Sequence, residues 1–488
     1  MTRWLRSRLL HLATLGALLA AVGYVSLGRK LPVLGADIGW HLKTGDWIVE
    51  HRAFPHTGIF SRTAATHPWA AYSWGYELLL SRSYAWFGLV GIGAYGMALT
   101  VFVFFCVFWM ARRLSGKFWL ALALAVACCY SILLLRIVPR PAFFSIALFC
   151  VVLTWLFEAQ RSGRVQTLYW LPAVFLVWAN LHIQFIYGLG AVGLLLAINI
   201  AQEIAHRAHL APNYIQPRSL PSGGLALVFA LCVLATLAGP YSYHLYSVIY
   251  QYSQAKVPYA MVQELQPFRL RFYANYVQLL LAAAAFAAVG FQKRLDVFKL
   301  ALLAVATVFA VRTMRDAWFE CTVATACLAE FARPYGEVEA PETRLQLAGV
   351  FSAVAVLLFI LARPAGFTEQ RLQRAVAAMY PVDAVHFLQQ NPVPGPLWNI
   401  FDWGGFLVWN LPEYPVGIDP RTDLYGDELL ARFHHTELGD ADYRSDPYLN
   451  DAGVVLLRPS DALTPLLESD PRFRRVYEDK IAAVFVRR

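Results

Sequence analysis

The chain has 488 residues, 58% of them hydrophobic and only 15% charged, against roughly 25% charged in soluble globular proteins. That composition excludes a soluble enzyme, a secreted disulfide scaffold and a disordered chain. The net charge of +9 is unevenly spread: residues 364–488 hold 12 basic and 18 acidic residues (−6), and residues 1–363 hold 29 basic and 14 acidic (+15). Basic loops beside membrane spans follow from the orientation rule, so the excess does not call for nucleic acid.

Apolar segments near 9–27, 84–110, 118–135, 142–157, 169–179, 184–201, 223–238, 276–291, 297–311, 317–332 and 345–362 predict about eleven transmembrane helices. The first follows Arg3, Arg6 and Arg8 and has no small-residue cleavage site before Arg29, so it is read as an uncleaved span. With those arginines in the cytosol, alternation puts Arg112, Arg113 and Lys117 inside. The same holds for Arg161 with Arg164, Arg207 with Arg218, Lys293 with Arg294, and Arg333 with Arg344. An odd number of spans then places the acidic tail outside the cell. The pair 169–179 and 184–201 is separated by the polar break Trp178-Ala-Asn180-Leu-His182-Ile-Gln184. Backbone at that depth must be buried in protein or line a wet cavity, and a cavity is expected there.

The tail reads as an α/β domain. Strand-like runs lie at Leu397–Phe401, Gly405–Leu411, Val416–Asp419, Gly453–Arg458, Val476–Glu478 and Ala482–Val486. Helices are expected from Pro381, over Gly426–His434, and after Ser460 as a cap. The fold class expected is thus a polytopic α-helical membrane core, residues 1–363, followed by an extracytoplasmic α/β domain, residues 364–488.

The remaining polar residues fall almost entirely on the outer side of this topology. The first outer loop, 29–83, contains Asp37, Trp40 and His41 at helical spacing on one face. Asp37 and His41 can act as base and orienting partner, or both touch a divalent metal; alternatively Asp37 caps an interfacial helix and His41 anchors it. Later outer loops add Arg136 and Arg140, then Trp178, Asn180 and His182, then Arg312 and Arg315. Guanidinium forks bind phosphate oxygens in pairs, although any single one of these arginines can equally snorkel to lipid phosphates. The long outer loop 239–275 contributes Glu264 as a second acid. In the tail, Asp402-Trp403-Gly404-Gly405 offers an aromatic plate beside open backbone, and Asp419, Arg421 and Asp423 offer a hydrogen-bonding rim or an internal salt bridge.

The order Asp37-x-x-Trp40-His41-Leu-x-Thr-Gly45, Phe54-Pro55, Phe60-Ser61-x-Thr63, Pro68-Trp69, Trp74 and Glu77 resembles the first outer loop of bacterial polytopic proteins of the GT-C glycosyltransferase type. Trp178-Ala-Asn180-Leu-His182, Asp402-Trp403-Gly404-Gly405-Phe406-Leu407 and Ile418-Asp419-Pro-Arg421-Thr422-Asp423 resemble the same set. The resemblance implies a multi-pass protein of the bacterial plasma membrane that uses a polyprenyl-phosphate-linked sugar donor. It implies Asp37 as base or, as in oligosaccharyltransferases, as metal ligand, and it makes Asp402–Gly405 similar to their acceptor-recognition motif. The chain departs from those enzymes in lacking paired tryptophans before the aspartate and a clear second acid beside Asp37.

The expected function is therefore inverting transfer of a sugar to an extracytoplasmic acceptor. Asp37 would be the base, oriented by His41, and Arg136, Arg140, His182, Arg312 and Arg315 would form the phosphate ground. The alternatives are a flippase or transporter of a lipid-linked or anionic solute, for which a broken helix is also a signature, and an assembly scaffold binding a partner through its tail.

Overall fold

The computed structural model describes residues 3–28, 35–133, 140–210, 212–217, 220–333 and 367–488. In chain order the helices are α1 (Arg3–Gly28), α2 (Ile38–His51), α3 (Trp74–Ser115), α4 (Phe118–Leu133), α5 (Ala142–Ser162), α6 (Leu171–Leu181) and α7 (Phe185–Arg207). They continue as α8 (Ser222–Thr236), α9 (His244–Gln254), α10 (Val257–Met261), α11 (Tyr273–Gly290), α12 (Val297–Arg312) and α13 (Ala317–Phe331). The tail holds α14 (Glu369–Ala377), α15 (Val382–Gln390), α16 (Gly404–Asn410), α17 (Thr422–Glu437), α18 (Pro447–Asp451) and α19 (Leu463–Glu468). Its strands are β1 (Leu397–Asn399), β2 (Val454–Leu457), β3 (Phe473–Glu478) and β4 (Ala483–Arg487).

Ten of the expected apolar segments fall on helices. Among the described residues four helices, α3, α5, α7 and α11, are each long and apolar enough to cross a membrane, and α1, α4, α6 and α8 carry shorter apolar stretches. The segment 345–362 and Arg136 lie outside the described residues.

The chain forms two compact units. The first takes residues 1–29, 96–242 and 264–365. Its hub is α13, in which every residue from Ala317 to Cys327 is buried. The alanines, threonines and cysteines of that stretch let α4, α5, α11 and α12 approach closely, as small residues do where helices meet in a bilayer. The break between α6 and α7 is met by protein groups. His182 leaves the helix in extended conformation (φ −166°, ψ 141°), its Nδ1 lies 2.8 Å from Ser145 Oγ, and Asn180 Nδ2 donates to the carbonyls of Leu176 and Ala238 at 2.8 and 3.1 Å. Protein partners thus do the work assigned to a wet cavity in the sequence reading.

The second unit takes residues 30–95, 243–263 and 366–488. Its sheet runs β1-β2-β4-β3, with β1 and β2 parallel and the other pairs antiparallel. β2 is buried along its whole length, and Trp398 of β1 stacks on Phe433 of α17 at 5.6 Å. The expected strand at 405–411 is instead helix α16, despite its β-prone Phe-Leu-Val-Trp run. Tertiary packing overrides propensity here. The helix lies backbone to backbone on α2: a Cβ at Gly405 would come 2.1 Å from the Ala36 carbonyl oxygen, and one at Gly39 would come 2.0 Å from that of Gly405.

The run 416–419 is not a ladder strand either, because side chains and the first loop take its main-chain groups. Asn399 Nδ2 donates to the Ile418 carbonyl at 2.8 Å and its Oδ1 accepts from Gly417 N at 2.9 Å, while the amide of Arg62 donates to Val416 at 2.9 Å. Ser460 caps no helix; α19 starts at Leu463 behind Ala462. Within α3, Gly88 breaks the helix at φ +61°, and the freed amides of Leu89 and Val90 donate to the Glu369 carboxylate at 3.3 and 3.2 Å.

Candidate functional site

Two sets of polar residues assemble, one in each unit, and they are described separately. In the second unit the motifs of the first loop interlock with those of the tail. Asp37 stands at the N-terminus of α2 in helical conformation (φ −82°, ψ −21°), and its carboxylate makes no capping bond to the helix amides. The capping role weighed from sequence therefore does not hold. Next to it, Tyr380 is buried and stacks on Phe406 at 4.9 Å. Burial pushes the Tyr380 phenol up, and the charges of Asp37 and Asp402 push it further, so both motif acids lie on its side.

His41 and Trp40 face inward, 5% and 6% exposed, rather than toward headgroups. The Nδ1 of His41 lies 3.2 Å from Glu77 Oε1, a carboxylate that is itself 1% exposed. The group orienting His41 is thus Glu77, which the sequence reading quoted only as part of a motif. Its signal was present: a glutamate in the first turn of an apolar helix requires a partner.

The tail motif does not present its tryptophan. Trp403 is 1% exposed, and the guanidinium of Arg458 covers its ring at 5.4 Å. This corrects the expectation of an open aromatic plate: Trp403 supplies packing under α16, and the polar surface here is Asp402 with Arg458, 2.7 Å apart. Arg458, missed from sequence, also lies 3.8 Å from Glu437 and 3.7 Å from Asp461.

Asp419 and Arg421 form the internal salt bridge. Both side chains are fully buried. Asp419 accepts from Arg421 Nε and Nη2 at 2.9 and 2.6 Å and from the Tyr425 hydroxyl at 2.7 Å. The guanidinium face stacks 4.6 Å from Trp69, so neither residue is a rim for ligand. Asp423 is different: half-buried, it accepts from the Tyr252 hydroxyl at 3.3 Å. Burial pushes its carboxyl up to about 6 against the lowering pull of Arg421.

In the first unit Arg140 and Arg315 converge on one carboxylate. Arg315 Nε donates to Glu264 Oε1 at 3.0 Å, and Arg140 Nη1 donates to Glu264 Oε2. Each of the three side chains is about a quarter to a third exposed. Glu264, expected to touch substrate as a second acid, is here the shared counter-ion of two arginines. Arg312 ends α12 exposed. Nearby, Asp316 accepts from Tyr187 at 2.7 Å and from Thr313 at 2.9 Å. Trp178, expected as a substrate surface, is fully buried, with Nε1 donating to Ser145 Oγ at 2.7 Å and its ring stacked on Phe175.

Among the described residues no group of three or more His, Cys, Asp or Glu side chains is placed to hold a metal ion, and the His41 imidazole faces Glu77.

No protein-family profile and no curated protein sequence matches the chain. Solved structures do. The archaeal oligosaccharyltransferase AglB from Archaeoglobus fulgidus, in complex with an inhibitory peptide and a dolichol-phosphate, superposes with a TM-score of 0.56 at 12% identity, covering 91% of this chain and 69% of that one. The apo form of the Archaeoglobus fulgidus oligosaccharyltransferase gives 0.54 at 12% identity, covering 92% and 69%. The chain therefore shares its fold with these oligosaccharyltransferases over nine-tenths of its length.

Proposed function

We propose that the chain is a membrane glycosyltransferase that moves a sugar from a polyprenyl-phosphate-linked donor to an extracytoplasmic acceptor, with inversion. The observation that carries this reading is the likeness to a fold whose solved example holds a dolichol-phosphate, together with an aspartate at the head of α2 that is not used as a cap.

In this reaction the acceptor's hydroxyl or amide proton passes to the Asp37 carboxylate as the acceptor atom bonds to the sugar's anomeric carbon. The bond from that carbon to the phosphate oxygen breaks at the same time, and the lipid phosphate leaves with the electron pair. Within the first unit, Arg140 and Arg315 are by residue type cations suited to a phosphate, and Glu264 accepts from both. Glu77 positions His41, and through it the first turns of α2. In this reading the donor is drawn from the membrane, the chain spans the plasma membrane with its N-terminus in the cytosol, and the α/β tail lies outside.

The test is to incubate the purified full chain with a panel of radiolabelled polyprenyl-phosphate sugars, with and without divalent metal. Wild type should consume one of them, and Asp37→Asn should lose turnover while keeping the wild-type melting temperature. Consumption retained by Asp37→Asn, or none by wild type across the panel, refutes the reading.

A further inference from the structure

At one end of the first unit three helices finish around an open surface depression of about 530 Å³. The end of α3 supplies Arg112, Arg113 and Gly116; the end of α5 supplies Glu158 and Arg161; and Arg333 follows α13. The lining holds four guanidinium groups and one carboxylate, a formal charge of +3. The segments are far apart in sequence: Glu158 lies 45 positions and Arg333 220 positions after Arg113.

Each arginine taken alone has an ordinary explanation. Basic residues mark cytoplasmic loops, and cations suit helix C-termini. Neither rule requires arginines from three separate loops to share one concavity, where like charges repel. The protein nevertheless fixes them there. Arg113 Nη2 lies 3.0 Å from Glu158, Arg161 lies 3.9 Å from the same carboxylate, and Arg333 Nη1 donates to the Arg113 carbonyl at 3.2 Å. Gly116, the residue after α3, has φ +73°, a conformation that L side chains rarely adopt.

We infer that this depression is a binding site for a phosphate-bearing anion carrying more than one negative charge, delivered either as the headgroup of an anionic lipid or as a free phosphate compound. Its volume is in the range of small-ligand pockets. Arginine forks are the side chains best shaped for phosphate oxygens, and basic pockets between helix ends are where anionic lipid headgroups settle. Its lining shares no residue with the Arg140–Glu264–Arg315 cluster, and the inference stands whether or not the chain transfers sugar.

The full chain in phosphatidylcholine nanodiscs is titrated with inorganic pyrophosphate by calorimetry, and in parallel a preparation containing cardiolipin is examined by native mass spectrometry for retained lipid. Saturable pyrophosphate binding identifies a free phosphate compound, retained cardiolipin identifies a headgroup, and either supports the site. Arg112→Gln and Arg161→Gln should each weaken binding by about tenfold, whereas Arg164→Gln, outside the depression, should leave it unchanged. Glu158→Gln should tighten binding on the order of fivefold, the effect of one unit charge a few ångströms away, and a misfolded variant cannot mimic that gain. Failure of both probes to bind overturns the proposal. So does equal weakening by Arg164→Gln, or the absence of any gain in Glu158→Gln.

Discussion

Asp419 offers the sharpest separation of a structural role from a functional one. Its two oxygens take four hydrogen bonds, from Arg421 N, Nε and Nη2 and from the Tyr425 hydroxyl, at 2.6–3.0 Å in a site with no solvent exposure. Asp419→Asn leaves the Arg421 cation buried against an amide, and breaking a buried pair on one side costs about 3–5 kcal/mol. A unit of about 200 residues loses roughly 2–4 °C per kcal/mol, so melting should fall on the order of 10 °C. The assay is thermal unfolding of the full chain followed by tryptophan fluorescence, with Trp69 reporting directly from its stack on Arg421. The double variant Asp419→Leu with Arg421→Met removes both charges. It should recover most of the loss, short of about 1 kcal/mol for the Arg421 amide and Tyr425 hydroxyl, which lose Asp419 as acceptor. A single variant that melts within about 2 °C of wild type, or a double variant no better than the single, refutes the argument.

Burial, then Asp461 and Asp402, push the Glu437 carboxyl up to about 7 against Arg458. A carboxyl raised in the folded state costs stability as pH climbs from its unfolded value near 4.5 through 7, so Glu437→Gln should be more stable than wild type at pH 8 by roughly 2 kcal/mol and equal to it at pH 4. Melting curves at the two pH values check this, and the same gain at both would refute it. Gly39→Ala places a Cβ 2.0 Å from the Gly405 carbonyl oxygen, where backbone must move. It should cost about 1–3 kcal/mol in the same melt, and a neutral result would mean that α2 and α16 are not in contact.

The helices of the first unit were legible because an apolar block of 15 to 25 residues has one economical form in lipid. The tail was legible only in part. Residues 454–457 and 483–486 read as strands because they are short, wholly apolar runs, valine in four of eight positions, and all are buried. The run 405–411 has the same composition but becomes helix, and its reason, the glycine contact with α2, sits some 370 residues earlier in the chain. The site behaved likewise. Asp37, Asp402 and the arginines of the outer loops stand out by residue type alone. That Trp403 is covered by Arg458 is a fact of packing that no local pattern carries; the Asp419–Arg421 bridge was one of two readings open from sequence, and Glu77 signalled its need of a partner but not that the partner is His41.

The bridge between Ser61 and Val416 joins positions 355 residues apart, and it sets a schedule for biosynthesis. At a synthesis rate of about 5–20 residues per second, the first loop waits roughly 20–70 s for the segment that completes it. Through that interval Trp69, Phe60, the face of α2 around Gly39 and the His41–Glu77 pair lack their tail partners. A nascent chain in that state offers apolar surface and half-satisfied polar groups to whatever is nearby. A truncation anywhere before 416 would leave it there permanently, so premature termination late in the gene should yield an aggregating or rapidly degraded product rather than a smaller working protein.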